Sequence, residues 1–248
     1  MRFDLVLCDV DGCLCPEHPG PLDVGALATV AAHNRAARER RDRPRVVLCT
    51  GRPQPYGELL CRLIEDFDGP AICENGVWLY HPANNRYELD PTITPAQIAA
   101  VQELVGWMRD RYGAHGAQIQ PGKDASASLY HGDHDWLVGV RAEVAAEVAR
   151  RGLPIRVSMS WFYVNCDLAH ISKASGIRRL FVSTGIGRER SAGIGDTLGD
   201  LAIADSVAWF ACPANADPKL KERAQYVSPL AEAAGVVDIL EQIGRLTY

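Results

Sequence analysis

The sequence predicts an α/β protein in which a parallel-sheet core is interrupted by a smaller inserted α+β domain. Two observations predict it. Short apolar runs at residues 5–8, 45–49, 70–73 and 207–212 end in turn-forming residues and alternate with helical patterns, as βαβ units do. Residues 83–169 read differently, as helix, two strands, helix, two strands, in two similar halves. The expected core is therefore residues 1–82 with 170–248, and the expected insertion, a cap, is 83–169.

The opening run Leu5-Val6-Leu7-Cys8 is apolar throughout and stops at a turn, which marks a short buried strand. Asp23 is placed to cap a helix that turns Leu27, Val30 and Ala31 inward. Arginines from Arg35 to Arg45 crowd the far end of that helix. They form a basic patch that nucleic acid could use, but a solvated helix C-terminus explains them more simply. A helix is expected over 57–66, a strand over 70–73, and a hairpin over 77–89 with Pro82-Ala83-Asn84-Asn85 as its turn. Thr94-Pro95-Ala96-Gln97 reads as a capping box with Pro at the first helical position. The helix it opens carries Val101, Leu104 and Met108 as an apolar stripe and is expected to close at Gly113. Strands at 117–120 and 124–130, a helix capped by Asp135, and strands at 155–158 and 161–166 complete the insertion. The α/β pattern then resumes with a helix over 172–182 and strands ending near Gly195 and Cys212. A helix over 215–224, a strand stub at 226–227 and a final helix over 229–244 follow.

Composition narrows the function classes. A net charge of -5 argues against nucleic acid as the main partner. No run of 18 apolar residues suggests a membrane span. The chain enters a strand at once, without a signal-peptide pattern, and several of its eight cysteines (Cys8, Cys49, Cys73, Cys212) sit in apolar runs. The expected setting is a reducing cytoplasm, with no membrane partner and a monomer or homodimer as the assembly. Cys8, Cys13 and Cys15 suggest a soft-metal or redox site, yet no second cysteine pair stands at zinc spacing. His131-Gly132-Asp133-His134-Asp135 holds metal-capable side chains, which a turn and helix cap also explain. Gly193-Ile194-Gly195 lacks the third glycine of a dinucleotide loop.

The chemistry concentrates at strand ends. Asp9 and Asp11 follow the first strand, spaced two apart and therefore expected on one side of extended chain. Two such charges about 4 Å apart repel by roughly 4 kcal/mol at an effective dielectric near 20. A site that accepts this repulsion usually holds a cation; solvated turn aspartates are the plainer reading. Thr50-Gly51-Arg52 follows the second strand, where a hydroxyl and a bare glycine amide can each hold a phosphate oxygen.

The order Asp9-Val10-Asp11-Gly12, Thr50-Gly51-Arg52, Lys173, then Gly195-Asp196-Thr197-Leu198-Gly199-Asp200 resembles the four motifs of haloacid-dehalogenase-type (HAD) phosphatases. The insertion between the second and third motifs looks like the α/β cap of the subgroup holding sucrose-phosphate and mannosyl-phosphoglycerate phosphatases. Glu74-Asn75-Gly76 and Ala214-Asn215-Ala216-Asp217-Pro218 also resemble segments of that subgroup. Cys13, Ala174 and Gly199 depart from it, standing where Thr, Gly and Asn are usual.

The resemblance implies a Rossmann-like HAD core and an Mg²⁺-dependent phosphatase acting through an aspartyl-phosphate. Asp9 is the implied nucleophile, and Asp11 the acid and base. Thr50, Gly51 and Lys173 hold the phosphate, with Thr50 and Lys173 also counted as catalytic. Asp9, Asp11 (through its main-chain carbonyl), Asp196 and Asp200 form the metal set. Arg52, Asn75, Lys123 and Ser128 are the candidate substrate residues. Along 124–130, Ser126, Ser128 and Tyr130 share one face, expected to roof the site and to favour a sugar phosphate. A phosphoglycolate-type phosphatase, or a phosphomutase or phosphotransferase on the same scaffold, is the alternative. A receiver-like phospho-switch shares Asp, Thr and Lys but lacks a large insertion.

Overall fold

A computed structural model describes residues 3–246. The chain separates into two compact units, residues 1–88 with 173–248, and residues 89–172.

The first unit begins with β1 (Leu5–Cys8), α1 (Val24–Arg40), β2 (Arg45–Leu48), α2 (Gln54–Leu63), β3 (Ala71–Cys73), β4 (Trp78–His81) and β5 (Arg86–Leu89). Asp23 caps α1 by accepting the Ala26 N–H at 2.9 Å. The helix α2 starts three residues before the expected position, because Pro53 sets its entry and removes a donor no helix start needs. The hairpin turn lies as expected, with Asn85 in a left-handed conformation.

The second unit holds α3 (Pro95–Tyr112), β6 (Gln118–Ile119), β7 (Ser126–Tyr130), α4 (His134–Arg151), β8 (Ile155–Met159) and β9 (Tyr163–Leu168). Its strands form one antiparallel sheet in the order β6-β7-β9-β8. Both halves of the Thr94–Gln97 capping box are made. The α-helix closes at Gly113 as expected, though without a left-handed cap. Gly113 keeps right-handed angles, a short 3-10 turn follows, and Gly116 supplies the left-handed residue. Asp133, not Asp135, caps α4, since its carboxylate reaches the Trp136 N–H at 3.0 Å.

The chain then returns to the first unit with α5 (Lys173–Thr184), β10 (Ser191–Ile194), α6 (Leu201–Ser206), β11 (Trp209–Cys212), α7 (Pro218–Lys221), β12 (Tyr226–Val227) and α8 (Glu232–Leu246). The helix expected over 215–224 shrinks to four residues, because Pro218 opens it and Asp217 caps it. The main sheet runs β12-β11-β10-β1-β2 and every pairing in it is parallel. Side chains alternate across it. Val6, Cys8, Val46, Leu48 and Ile194 pack with α1 and α8 residues such as Leu27, Val30 and Ile239. Leu5, Leu7, Val47 and Phe210 pack with Ile177, Leu180 and Ile203 of α5 and α6. Helices thus cover both faces, which explains why these strands read as unbroken apolar runs. Among the described residues, no helix is long and apolar enough to cross a membrane.

Candidate active site

Three parallel strands deliver their ends to one place. The register sets Cys8 beside both Leu48 and Ile194. Backbone bonds continue one step further, with Cys49 N–H on the Cys8 carbonyl at 2.9 Å and Asp9 N–H on the Ile194 carbonyl at 3.0 Å. Asp9, Thr50 and Asp196 therefore emerge at the carboxyl edge of the sheet, where open α/β folds bind ligands.

Asp9, Asp196 and Asp200 each present an oxygen there, all within 4.8 Å of one another and all buried. Lys173, the first residue of α5, bridges two of them. Its Nζ donates to Asp9 Oδ1 at 2.8 Å and to Asp200 Oδ1 at 2.6 Å. The second Asp200 oxygen accepts the backbone N–H groups of Asp196 and Thr197, each at 3.1 Å. Thr197 and Asp200 form a reciprocal capping box, so the turn containing Gly199 is held by its own backbone and hydroxyl. One atom stands apart: Asp196 Oδ1 is shielded from solvent and has no hydrogen-bond partner. Its neighbour Oδ2 lies where a side chain on Gly12 would be, since a Cβ there would stand 1.9 Å away. Gly12 also has φ +75, so only glycine serves at this position.

Burial, then the Asp200 charge, pushes the Asp9 carboxyl up to about 8. Burial, then Asp9, pushes Asp196 up to about 9. Burial disfavours the Lys173 cation, but Asp200 and Asp9 together hold it well above its ordinary value. One ammonium does not balance three buried carboxylates. The donors are all oxygens, one of them without a partner, and this is the set a hard divalent cation takes.

Asp11 has a different partner. Its carboxylate accepts Arg52 Nε at 2.9 and 2.8 Å and Arg52 Nη2 at 2.5 Å. It lies outside the three-carboxylate cluster. The Arg52 guanidinium also sits over the Tyr56 ring, 5.1 Å from its centroid. Arg52, expected at the substrate, is thus placed on Asp11. Thr50 is buried, and its hydroxyl accepts the Arg52 N–H at 3.0 Å, which leaves the hydroxyl proton to give. Asn75, also expected at the substrate, is left-handed at φ 54 and donates its N–H to the Thr50 carbonyl at 3.0 Å. Its amide oxygen stands 3.0 Å from where a Gly51 Cβ would be. Asn75 therefore braces the Thr50-Gly51 turn.

In the second unit, Lys123 Nζ donates to Ser128 Oγ at 2.7 Å, and Ser128 Oγ donates to Asn165 Oδ1 at 2.6 Å. Ser126 and Ser128 are buried rather than solvated. Asp133 N–H bonds to His131 Nδ1 at 3.0 Å, as the turn-and-cap reading of that segment requires. All eight cysteines are free and buried.

Sequence reasoning missed three roles. Asn215 ties the first loop to the last helix: its amide donates to the Gly12 carbonyl at 2.8 Å and accepts the Glu232 N–H at 2.8 Å. Asn165 extends the Lys123–Ser128 chain, and nothing in the sequence signals it. Thr197 cradles Asp200, and its spacing of three from an acid was the available clue.

A family model described as haloacid dehalogenase-like hydrolase matches residues 117–240, half of the chain. The chain belongs to this family. A phosphoglycolate phosphatase from Methanosarcina acetivorans is 25% identical over 246 residues, covering 97% of this chain and 96% of its own length. Another from Metallosphaera sedula is 22% identical and covers 96% of this chain and 98% of its own. The crystal structure of Thermoplasma acidophilum 0175 matches at TM-score 0.75 and 18% identity, covering 98% of this chain and 99% of that one. Sucrose-phosphatase from Synechocystis sp. PCC6803, solved with sucrose and phosphate, matches at TM-score 0.63 and 17% identity, covering 98% of each. These likenesses establish an HAD-like fold with a Rossmann-like core and an inserted α+β unit.

Proposed function

We propose that this HAD-type phosphatase hydrolyses a small phosphate monoester through a phosphoryl group carried on Asp9. The observation that carries the reading is the buried trio of Asp9, Asp196 and Asp200, bridged by a single ammonium and left with an unpartnered oxygen on Asp196. Asp9, Asp196 and the Asp11 main-chain carbonyl would hold Mg²⁺, with Asp200 supporting them through Lys173 and the Asp196 N–H. Bound there, the ion supplies positive charge that neutralises the phosphate and keeps Asp9 ionised.

The residues then divide the work. Asp9 attacks phosphorus, forming one P–O bond as the bond to the leaving alcohol breaks. Asp11, aimed by Arg52, gives the departing alkoxide a proton and later takes one from the water that cleaves the aspartyl-phosphate. Thr50 hydroxyl and Gly51 N–H bind the equatorial oxygens, and Lys173 offsets their charge. Water as the second acceptor makes the enzyme a hydrolase; a sugar hydroxyl in its place would make it a mutase.

The core recognises phosphate, so the leaving group is selected elsewhere, and we assign that role to Lys123, Ser128 and Asn165. A short carboxylated alcohol, the phosphoglycolate class, fits the Lys123 ammonium and agrees with the full-length relatives. A sugar phosphate is the second reading, favoured by the neutral hydroxyl and amide groups of Ser126, Ser128 and Asn165. The test is kcat/KM for phosphoglycolate, hexose phosphates and disaccharide phosphates, in wild type, Lys123→Ala and Ser128→Ala, with Asp9→Asn as the blank. Phosphoglycolate should lead, and Lys123→Ala should lower its kcat/KM by about tenfold or more. A leading hexose phosphate, weakened by Ser128→Ala, would move the assignment to sugars. Full turnover in Asp9→Asn would remove the nucleophile.

A further inference from the structure

We propose that a small polyanion with two or more phosphoryl groups binds at the end of the core sheet opposite the carboxylate cluster. A cavity of about 610 Å³ opens there, lined by Arg38, Arg41, Arg43, Arg45 and Arg190 against Asp4 and Asp68. Its volume is that of a small-molecule site. The whole chain carries -5, so five converging arginines run against the overall sign, and a ligand inside a cavity feels the local field.

The arginines come from separate elements. Arg38 lies in the last turn of α1, Arg41 is the left-handed residue that ends it, Arg45 opens β2, and Arg190 immediately precedes β10. Arg45 Nη1 donates to the Asp68 carbonyl at 2.9 Å. Arg45 Nε has no hydrogen-bond acceptor, and the buried Asp66 carboxyl is among the charges Arg45 acts on. Existing acidic partners are exchangeable. Arg38 meets Glu65, Arg43 meets Asp42 and Arg190 meets Asp4, with the arginine side chains 34%, 33% and 60% exposed. Partly solvated pairs of this kind are screened and hold weakly, and guanidinium forks match phosphoryl oxygens two at a time. A single phosphate reaches one or two of these groups; a chain of phosphoryl groups reaches several.

This place is separate from the phosphate-transfer site. Asp4, Arg45 and Arg190 stand at the starts of β1, β2 and β10, whereas Asp9, Thr50 and Asp196 stand beyond their ends. Four-residue strands put about 13 Å between the two.

The test is titration calorimetry on the full chain in EDTA, with inorganic tripolyphosphate, ATP and orthophosphate as probes, at about 50 and 200 mM NaCl. Tripolyphosphate should bind saturably, about tenfold or more tighter than orthophosphate, and weaken with salt. Equal affinity for ATP assigns recognition to the phosphoryl chain, and tighter ATP adds a nucleoside contribution; both support the site. Arg41→Glu and Arg190→Glu should each weaken binding by about tenfold while leaving Mg²⁺-dependent hydrolysis of an aryl phosphate unchanged, which also reports the fold. Should a reversal lower expression, Arg43→Gln serves the same comparison. No saturable binding below about 5 mM, or affinities unmoved by all these changes, overturns the proposal.

Discussion

Replacing Lys173 with Met tests how the core tolerates its own active site. Met keeps the length of the side chain and removes the ammonium that contacts Asp9 at 2.8 Å and Asp200 at 2.6 Å. One oxygen from each of Asp9, Asp196 and Asp200 lies within 4.8 Å of the other two. At that separation, each ionised pair repels by roughly 3–4 kcal/mol at an effective dielectric near 20. Removing one partner of a buried ion pair costs about 3–5 kcal/mol. For a chain of this size that is a fall of about 6–20 °C in the melting temperature.

The pH dependence follows from the raised carboxyls. Asp9 is held up to about 8 and Asp196 to about 9, both by burial first. A carboxyl whose pKa is raised on folding contributes stability that is present at low pH and lost as pH climbs through the folded value. The deficit of Lys173→Met in EDTA should therefore be small near pH 6, where protons replace the missing cation, and largest above pH 9. Saturating Mg²⁺ should return part of it. The assay is scanning calorimetry of wild type and variant across that range, with EDTA or Mg²⁺. A deficit under about 2 °C above pH 9, or one equal at both pH extremes, would falsify the view that the ammonium balances these carboxylates.

Three further outcomes are expected. The Mg²⁺-induced rise in melting temperature should grow between pH 6 and pH 9, because the ion must displace protons from Asp9 and Asp196; a flat dependence counts against those ligands. Gly12→Ala puts a Cβ 1.9 Å from Asp196 Oδ2 on a positive-φ residue. It should abolish the Mg²⁺ stabilisation, and a variant with wild-type Mg²⁺ response would show that the loop yields without disturbing Asp196. Arg52→Lys keeps the charge but loses the fork on Asp11, so kcat should fall by about tenfold with KM for an aryl phosphate little changed; an unchanged kcat would remove Arg52 as the residue that positions Asp11.

The order of elements was legible because apolar runs, turns and caps carry it locally. Asp23 and the Thr94–Gln97 box act within three residues of themselves. An error arose where two local signals competed. Asp133 and Asp135 are both sound caps, and the choice went to the one whose carboxylate reaches Trp136 N–H. Gly113 closes α3 as its position suggests, and only the left-handed turn comes later, at Gly116. Non-local contacts leave no such trace. Asn215 reaches the Gly12 carbonyl, and Arg179 reaches the Gly76 carbonyl at 3.0 Å, and nothing within a few positions of either residue announces it.

The aspartate pair shows where a local rule runs out. A spacing of two places side chains on one side only while the chain stays extended. Here β1 ends at Cys8, the chain turns from Val10, Asp11 makes a lone bridge to Cys15, and Gly12 has φ +75. The two carboxylates are thereby directed to different cations, Asp9 to Lys173 and Asp11 to Arg52. They remain close enough for Asp11 to contribute to raising the Asp9 carboxyl, after burial and Asp200. The roles proposed for them, nucleophile for Asp9 and acid–base group for Asp11, call for such a difference in surroundings. A buried nucleophile must be kept ionised by the cations set against it, while an acid–base group must exchange protons with the alcohol and with water. Asp9 is buried, and the Asp11 side chain keeps 23% of its surface in solvent. The turn after β1, rather than the spacing of the pair, is what gives the two carboxylates different surroundings.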